Sequence, residues 1–182
     1  SPFVTIQGDA GKTHDKVWGF TLKKMPLNGR VWYPDGPGPF PLVLIVHGNH
    51  TPQDFSDPGY RYLGEHLASH GFILVSVDEN FINGLQGEND GRGWLLLKHL
   101  ERWKKWNDSS AGPFKGMVDM HRIALMGHSR GGEGPQFSIA GTVDDGGLVR
   151  VYDDPAGPAQ NIDPGVVQRQ TRHVADDLRA GE

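Results

Sequence analysis

The chain has 182 residues, a formal net charge of −4 and no cysteine. This length suffices for one domain with a substantial hydrophobic core, and the weakly acidic balance gives no electrostatic reason to expect a nucleic-acid partner or an anionic membrane. The lack of cysteine excludes disulfides, thiolate zinc sites and a cysteine nucleophile, and it leaves the cellular compartment undetermined. No apolar run approaches the ~20 residues that span a bilayer, so no membrane span is predicted.

Residues 1–34 predict antiparallel strands. Residues 3–6 and 17–24 have the composition of strands, and Asn28-Gly29 is a strong signal for a hairpin turn, after which residues 31–33 pair back. These strands would precede a parallel sheet in the chain.

One N-terminal segment, Gly8-Asp9-Ala10-Gly11-Lys12-Thr13, resembles a phosphate-binding loop. The phosphate-loop pattern would need glycine where Ile6 stands, and no helix is predicted to follow the segment. A hairpin loop is therefore the preferred interpretation, and a phosphate-binding protein is the weakest of the functions considered.

Residues 35–140 predict an alternating α/β core. Residues 42–46 form a short apolar run rich in β-branched side chains, which is typical of a strand buried on both faces. Residues 59–70 carry apolar side chains at helical spacing and are followed by Gly71, which favours a left-handed helix end. Residues 72–77 predict the next buried strand.

The same alternation continues toward the middle of the chain. A polar, glycine-rich loop over residues 80–93 is long enough to shape a pocket. The helix predicted over residues 94–106 carries Leu96, Leu100 and Trp103 on one face, so core packing is preferred over a nucleic-acid or membrane patch for the aromatic and basic residues that end it. With a further strand over residues 120–126, the pattern predicts a doubly wound parallel sheet.

That last strand leads directly into Gly127-His128-Ser129-Arg130-Gly131. A G-x-S-x-G that follows a strand and opens a helix is the nucleophile elbow of serine hydrolases, and a helix is predicted over residues 132–140. The two glycines allow the sharp turn that exposes the serine hydroxyl. A serine hydroxyl is a poor nucleophile, so Ser129 needs a base within hydrogen-bond reach and a third group to orient that base.

These segments resemble the N-terminal half of a bacterial α/β-hydrolase of the esterase, lipase and dienelactone-hydrolase kind. The resemblance covers residues 31–140, a little over half of the chain. It is carried by Tyr33-Pro34, by the apolar run that ends in His47-Gly48, by residues 71–78 and by residues 122–132. It implies an α/β-hydrolase-type, mostly parallel sheet flanked by helices, with antiparallel N-terminal strands and a shortened C-terminal part.

The resemblance also implies an activity and part of a site. The implied activity is hydrolysis of carboxylic esters through an acyl-enzyme on Ser129, without a metal or an organic cofactor. The backbone N–H groups of Asn49 and Arg130 would form the oxyanion hole. Four further residues would line the pocket: His47, Gly48, His50 and His128.

The family order of the triad is serine, then acid, then histidine. His173 is the one histidine that follows Ser129, so this order implies His173 as the base; an exposed surface histidine is the alternative interpretation. Asp153, just after a strand predicted over residues 148–152, is the preferred acid. The competing acids are Asp144, Asp145, Asp154 and Asp163.

Other polar residues have less specific interpretations. His66 and His70 are one helical turn apart, but without a third ligand a solvated helix face is preferred, and no metal site is predicted. Asp78 and Glu79 end a strand and are candidates to line the pocket, and Glu133 is a candidate to support the elbow.

Residues 141–182 predict little defined structure beyond that strand and a short helix over residues 166–178. We expect residues 1–182 to form one α/β-hydrolase-like domain with a shortened C-terminal segment. If that segment leaves the sheet edge beside the elbow strand open, self-association through the edge is expected. Besides a small-molecule ester hydrolase, the alternative is a catalytically incomplete scaffold that serves as a binding or interaction module.

Overall fold

A computed structural model describes residues 2–132, 148–153 and 171–177, the last two segments by their backbone pairing. None of the helices in these residues is long and apolar enough to cross a bilayer. The elements follow one another in the order α1 (Gly8–Trp18), β1 (Pro26–Trp32), β2 (Phe40–Val46), α2 (Arg61–Ser69), β3 (Ile73–Asp78), α3 (Glu88–Asp108), β4 (Val118–Gly127), β5 (Leu148–Asp153) and β6 (Thr171–Asp177).

The six strands form one sheet in the order β5-β4-β2-β3-β1-β6. Strand β2 pairs in parallel with both β3 and β4, and β5 extends this parallel block beside β4. On the other side of the sheet, β1 pairs antiparallel with β3, and β6 pairs antiparallel with β1. The predicted α/β-hydrolase-type, mostly parallel sheet is confirmed.

The apolar run of β2 is buried because both faces of the sheet are covered. Leu42, Leu44 and Val46 pack with Leu96 and Trp103 on the α3 side of the sheet. The residues between them point to the other face, where they pack with α2, because side chains alternate along a strand. The helix face predicted around Trp103 is thus part of the core.

The N-terminal strands are largely a wrong prediction. The phosphate-loop-like segment lies in α1, which ends at Gly19 in the left-handed conformation with φ +75°. Helix α1 is held by tertiary contacts: His14 is buried with its Nε2 2.7 Å from the carbonyl oxygen of Phe81, and the ring of Trp18 meets Phe81 edge-on. The local sequence of α1 has few apolar residues and gives no indication of these contacts.

The predicted hairpin turn at Asn28-Gly29 is also wrong, because both residues lie inside β1. Gly29 pairs with Val77 of β3 on one side and with Val174 of β6 on the other. A Cβ at Gly29 would lie 2.9 Å from the carbonyl oxygen of Ser76. Glycine is needed at this position because the neighbouring strand approaches the backbone closely, and not because the chain turns.

Helix α3 begins six residues earlier than predicted, at Glu88. Its first turns pack through small and polar residues: a Cβ on Gly91 would lie 2.2 Å from the Cγ2 of Val4. The apolar spacing that predicts a helix starts only after these turns. The loop predicted over residues 80–93 is correspondingly shorter.

The later strands bear on two further predictions. Strand β5 confirms the strand predicted over residues 148–152. Because β5 pairs with β4, the prediction of an open sheet edge beside the elbow strand is wrong. The outer strands of the described sheet are β5 and β6. Residues 171–177 are a strand rather than part of a helix, because all seven pair with β1. The helix predicted over residues 132–140 lies outside the described residues.

Candidate active site

The elbow follows β4 and forms a tight turn. Ser129 has φ +54°, and it is the one non-glycine residue with positive φ among the described residues. The N–H of His128 donates to the carbonyl of Val46 at 3.0 Å, and the N–H of Gly131 donates to the carbonyl of His128 at 2.9 Å. The turn therefore closes tightly on the end of β2 and presents Ser129 at the surface.

Both glycines of the elbow are required by close approach. A Cβ on Gly127 would lie 2.2 Å from the carbonyl oxygen of Gly131. A Cβ on Gly131 would lie 2.3 Å from the carbonyl oxygen of Val46 and 2.5 Å from that of His47. Any larger side chain would push the elbow away from the β2 strand end.

The loop after β2 runs beside Ser129. The parallel register pairs Val46 with Gly127, so β2 and β4 end at the same edge of the sheet. A Cβ on Gly48 would be 3.1 Å from the Cβ of Ser129 and 3.1 Å from the Nδ1 of His128. Asn49 follows Gly48 directly, so its N–H lies on the segment that borders the proposed nucleophile.

His47 supports this loop from inside the protein, where its side chain is buried. Its Nε2 accepts from the N–H of Glu79 at 3.2 Å, so the ring proton is assigned to Nδ1, which donates to the carbonyl of Gly48 at 2.8 Å. Burial lowers the pKa of His47 to about 4, which keeps the ring neutral. With both nitrogens occupied, His47 is a structural part of the loop and has no capacity to act as a base.

His50 lies next to His47, with ring centroids 5.2 Å apart. Its Nδ1 is 2.8 Å from the carbonyl oxygen of Thr51, and its Nε2 accepts from the hydroxyl of Ser56 at 2.7 Å. The ring is therefore held within its own loop. His128 is exposed on the elbow.

A buried polar network lies beneath the loop and was not predicted from the sequence. The Nη1 of Arg92 donates to the carbonyl of His47 at 3.1 Å and to the Oε2 of Glu79 at 3.3 Å, and its Nη2 donates to the Oδ1 of Asn83. Arg92 and Glu79 have fully buried side chains. Burial raises the pKa of the Glu79 carboxyl to about 8, against the opposing effect of the guanidinium.

A second polar contact joins the same helix to the elbow. The carboxylate of Glu88 accepts from the Nη1 of Arg130 and from the N–H of Gly84. Glu88 and Arg92 are one helical turn apart on α3. That spacing is the one sequence signal that could have identified them, and it is weak because the surrounding residues resemble a loop.

The structure brings only one of the two remaining triad candidates near the elbow. Asp153 ends β5 and pairs with Gly127, next to the turn. His173 lies on β6 and pairs with Arg30 on the opposite side of the sheet. Four strand spacings separate β6 from β4, about 19 Å in all, which exceeds the reach of a histidine side chain. Asp144, Asp145, Asp154, Asp163 and Glu133 lie outside the described residues.

Other candidates have local roles. His66 on α2 and His70, which directly follows the helix, are exposed, and the Nδ1 of His70 is 2.8 Å from the carbonyl oxygen of His66. No group of three or more potential metal ligands occurs in the described part of the chain. Asp78 accepts from the side chain of Asn80 at 2.6 Å at the end of β3, on the same edge as the elbow.

Comparison with known proteins gives a consistent result for more than half of the chain. The family model described as PET hydrolase-like (PETase) matches residues 23–143. Cutinase 2 of Thermobifida cellulosilytica is 32% identical over 106 residues, which cover 58% of this chain and 37% of the cutinase. Cutinase cut1 of Thermobifida fusca is 32% identical over 106 residues, which cover 58% of this chain and 30% of that protein.

A bis(hydroxyethyl) terephthalate hydrolase of Streptomyces coelicolor is 32% identical over 108 residues, which cover 58% of this chain and 31% of the hydrolase. The chain thus spans about a third of the length of the curated relatives it matches. The residues matched by the family model include the elbow, whereas Asp153 and His173 lie beyond them. Since that match covers well over half of the sequence, the chain belongs to the PET hydrolase-like family of the α/β-hydrolase superfamily.

Proposed function

We propose that this chain carries the nucleophile and the oxyanion hole of a serine hydrolase that cleaves carboxylic esters. The observation that carries the proposal is the left-handed conformation of Ser129 at the end of β4, beside a loop so close that a Cβ added to Gly48 would lie 3.1 Å from the Cβ of Ser129. A strained conformation at a non-glycine residue persists where the surrounding structure enforces it, and such residues cluster at active sites.

The proposed reaction proceeds through an acyl-enzyme. The Oγ of Ser129 attacks the ester carbonyl carbon while a base takes its proton, and the carbonyl oxygen becomes a tetrahedral oxyanion. The N–H groups of Asn49 and Arg130 donate to that oxyanion. The intermediate collapses, the C–O bond to the alcohol breaks, and the alcohol leaves with the proton. Water then attacks the acyl-enzyme in the same way and releases the acid and free Ser129.

The base and the acid of this scheme remain predictions. His173 is assigned by the family order of the triad, and Asp153 by its place at the end of β5 beside the elbow. With residues 171–177 paired to β1, His173 is too far from Ser129 to take its proton. His173 can serve as the base only in an arrangement in which this segment leaves the edge of β1.

The proposed substrates are small carboxylic esters. One relative is named for bis(hydroxyethyl) terephthalate, and several others are named as cutinases. We therefore propose bis(hydroxyethyl) terephthalate as the first ester to assay.

A second function is favoured by one observation, the placement of His173 on the far side of the sheet. A protein with the elbow but without a base beside it would be a catalytically incomplete scaffold that acts as a binding or interaction module. Its Ser129 would be unactivated, because a serine hydroxyl needs an adjacent base to become a nucleophile.

The two functions are separated by intact-mass spectrometry after incubation with a fluorophosphonate. A single adduct on the native protein that is absent from Ser129→Ala, and retained by Ser109→Ala as the matched control at an exposed serine after α3, supports the hydrolase. Loss of the adduct in His173→Ala and Asp153→Asn would then identify the base and the acid. A folded native protein that forms no adduct and releases no product from the ester would contradict the hydrolase proposal and favour the scaffold.

A further inference from the structure

We infer that the first two turns of α3 position both donors of the oxyanion hole, Arg92 by holding the loop that precedes Asn49 and Glu88 by holding Arg130. The inference rests on the proposed function, since it assigns positioning residues to that site. Neither side chain touches the substrate in this scheme. Each acts through the backbone segment that carries one donor.

The first connection runs from Arg92 to the loop after β2. The guanidinium is completely buried and donates to the carbonyl of His47, which belongs to the His47–Gly48 peptide. The same guanidinium holds the carboxyl group of Glu79, whose own N–H donates to the Nε2 of His47. Arg92 therefore restrains both the backbone and the ring of His47. Charge-assisted hydrogen bonds of this kind are roughly twice as strong as neutral ones.

The restraint passes to Asn49 through a single planar unit. The Nδ1 of His47 donates to the carbonyl of Gly48, and that carbonyl shares its peptide plane with the N–H of Asn49. Because a trans peptide is planar, fixing the direction of the C=O fixes the direction of the N–H on its opposite side. The orientation of the proposed donor is thus set by His47, which Arg92 holds in turn.

The second connection runs from Glu88 to the elbow. Its carboxylate is buried and accepts from the guanidinium of Arg130, the residue whose N–H is the other proposed donor. The side chain of Glu88 also accepts from the N–H of Gly84, which holds it in place. A carboxylate in the first turn of a helix is favoured by the helix dipole. One helix therefore contacts both the loop after β2 and the elbow after β4.

The main alternative is that these buried polar residues only stabilise the fold. A merely structural role would lower the stability without a selective effect on turnover. A positioning role predicts a fall in kcat with little change in KM, because the oxyanion donors act mainly on the transition state. Misplacement of a catalytic group by about 1 Å can reduce the rate by about 100-fold.

The test compares four variants of the protein: Arg92→Leu, Arg92→Lys, Glu88→Gln and Lys104→Leu. The last is the matched control, because Lys104 lies on α3 with an exposed side chain that pairs with Asp108 on the same helix. We expect Arg92→Leu to lower kcat for the ester by about 10- to 100-fold with KM within about threefold. Arg92→Lys should restore part of the loss, since a single ammonium can reach one of the acceptors but cannot reproduce the fork. Glu88→Gln should lower kcat by about 10-fold.

A second readout separates failure of the inference from failure of the proposed function. The backbone amide resonances of Asn49 and Arg130 report their local geometry whether or not the protein turns over. We expect Arg92→Lys to shift the Asn49 amide and leave Arg130 in place, and Glu88→Gln to do the reverse. If both amides keep their native positions in the folded variants, or if kcat falls no further than in Lys104→Leu, the positioning role is refuted. If the native protein has no activity but the amides shift as expected, the positioning role stands and the esterase proposal fails.

Discussion

The left-handed conformation of Ser129 has a consequence for stability that can be measured directly. Because its φ is +54°, replacing Ser129 by glycine relieves backbone strain, whereas replacing it by alanine keeps that strain. Both substitutions remove the proposed nucleophilic oxygen. We therefore expect two inactive variants, of which Ser129→Gly is the more stable.

The expected difference follows from two opposing contributions. A non-glycine residue in the left-handed region costs roughly 1–2 kcal/mol. Glycine, in turn, gives the unfolded chain more freedom, which lowers the free energy of unfolding by about 0.4–1 kcal/mol. The net gain of Ser129→Gly over Ser129→Ala is about 0.5–1 kcal/mol, equivalent to a rise in Tm of roughly 1–4 °C for a chain of this size.

Urea denaturation of the two variants measures this difference, and Ser56 supplies the matched control. Ser56 has φ −95°, where glycine has no steric advantage, so Ser56→Gly should be less stable than Ser56→Ala. A Ser129→Gly variant that is no more stable than Ser129→Ala would show that the elbow strain is absent. In that case the surrounding structure does not enforce the conformation of the proposed nucleophile.

Two further predictions follow from close approach and from burial. Gly131→Ala should destabilise the fold by about 2 kcal/mol or more and abolish labelling by a fluorophosphonate, because its Cβ would lie 2.3 Å from the carbonyl oxygen of Val46. The matched control is Gly59→Ala, which should have no effect in the same assays because the space around Gly59 is open. Burial lowers the pKa of His99 from the ordinary value of 6.5 to about 3. Below pH 6.5 the unfolded chain therefore binds a proton at His99 that the folded protein does not bind. The contribution of His99 to the free energy of unfolding falls as the pH decreases from 6.5 toward 3. Between pH 7.5 and pH 5 this residue alone should lower the free energy of unfolding by about 2 kcal/mol, and the free energy of unfolding of His99→Phe should vary with pH by that much less. Equal pH dependences of the two proteins in chemical denaturation would contradict the assignment.

The sequence was sufficient for the parts of the site that depend on local pattern. The apolar runs in β2 and β4 identify two strands, and each is followed by a turn that contains glycine. The elbow could be predicted because its two glycines lie within a five-residue motif, at positions where a Cβ would collide with nearby backbone. Strand β5 can be predicted from local pattern as well, because it is a short segment rich in apolar residues.

The errors lie where distant contacts decide the structure. Helix α1 has little apolar periodicity and depends on the contact between His14 and the carbonyl of Phe81, 67 residues later in the chain. Asn28-Gly29 has the local signature of a turn, yet strands pair with it on both sides and keep it extended. Arg92 was missed because a buried charged network has no periodic pattern, and its partners come from other elements.

The same distinction explains why the nucleophile and the base differ in how well they can be assigned. Ser129 and Asn49 follow β4 and β2, and adjacent parallel strands end at one edge of the sheet, so two correctly identified strands bring these residues together. A histidine late in the chain depends instead on which side of the sheet its segment joins. Pairing with β1 places His173 four strands from the elbow, whereas a place beside β5 would bring it within two. The local sequence of residues 171–177 does not select between these sides, because each edge of a sheet offers unpaired N–H and C=O groups with which a strand can pair. Whether Ser129 reacts with a fluorophosphonate is therefore also a test of where the last strand joins the sheet.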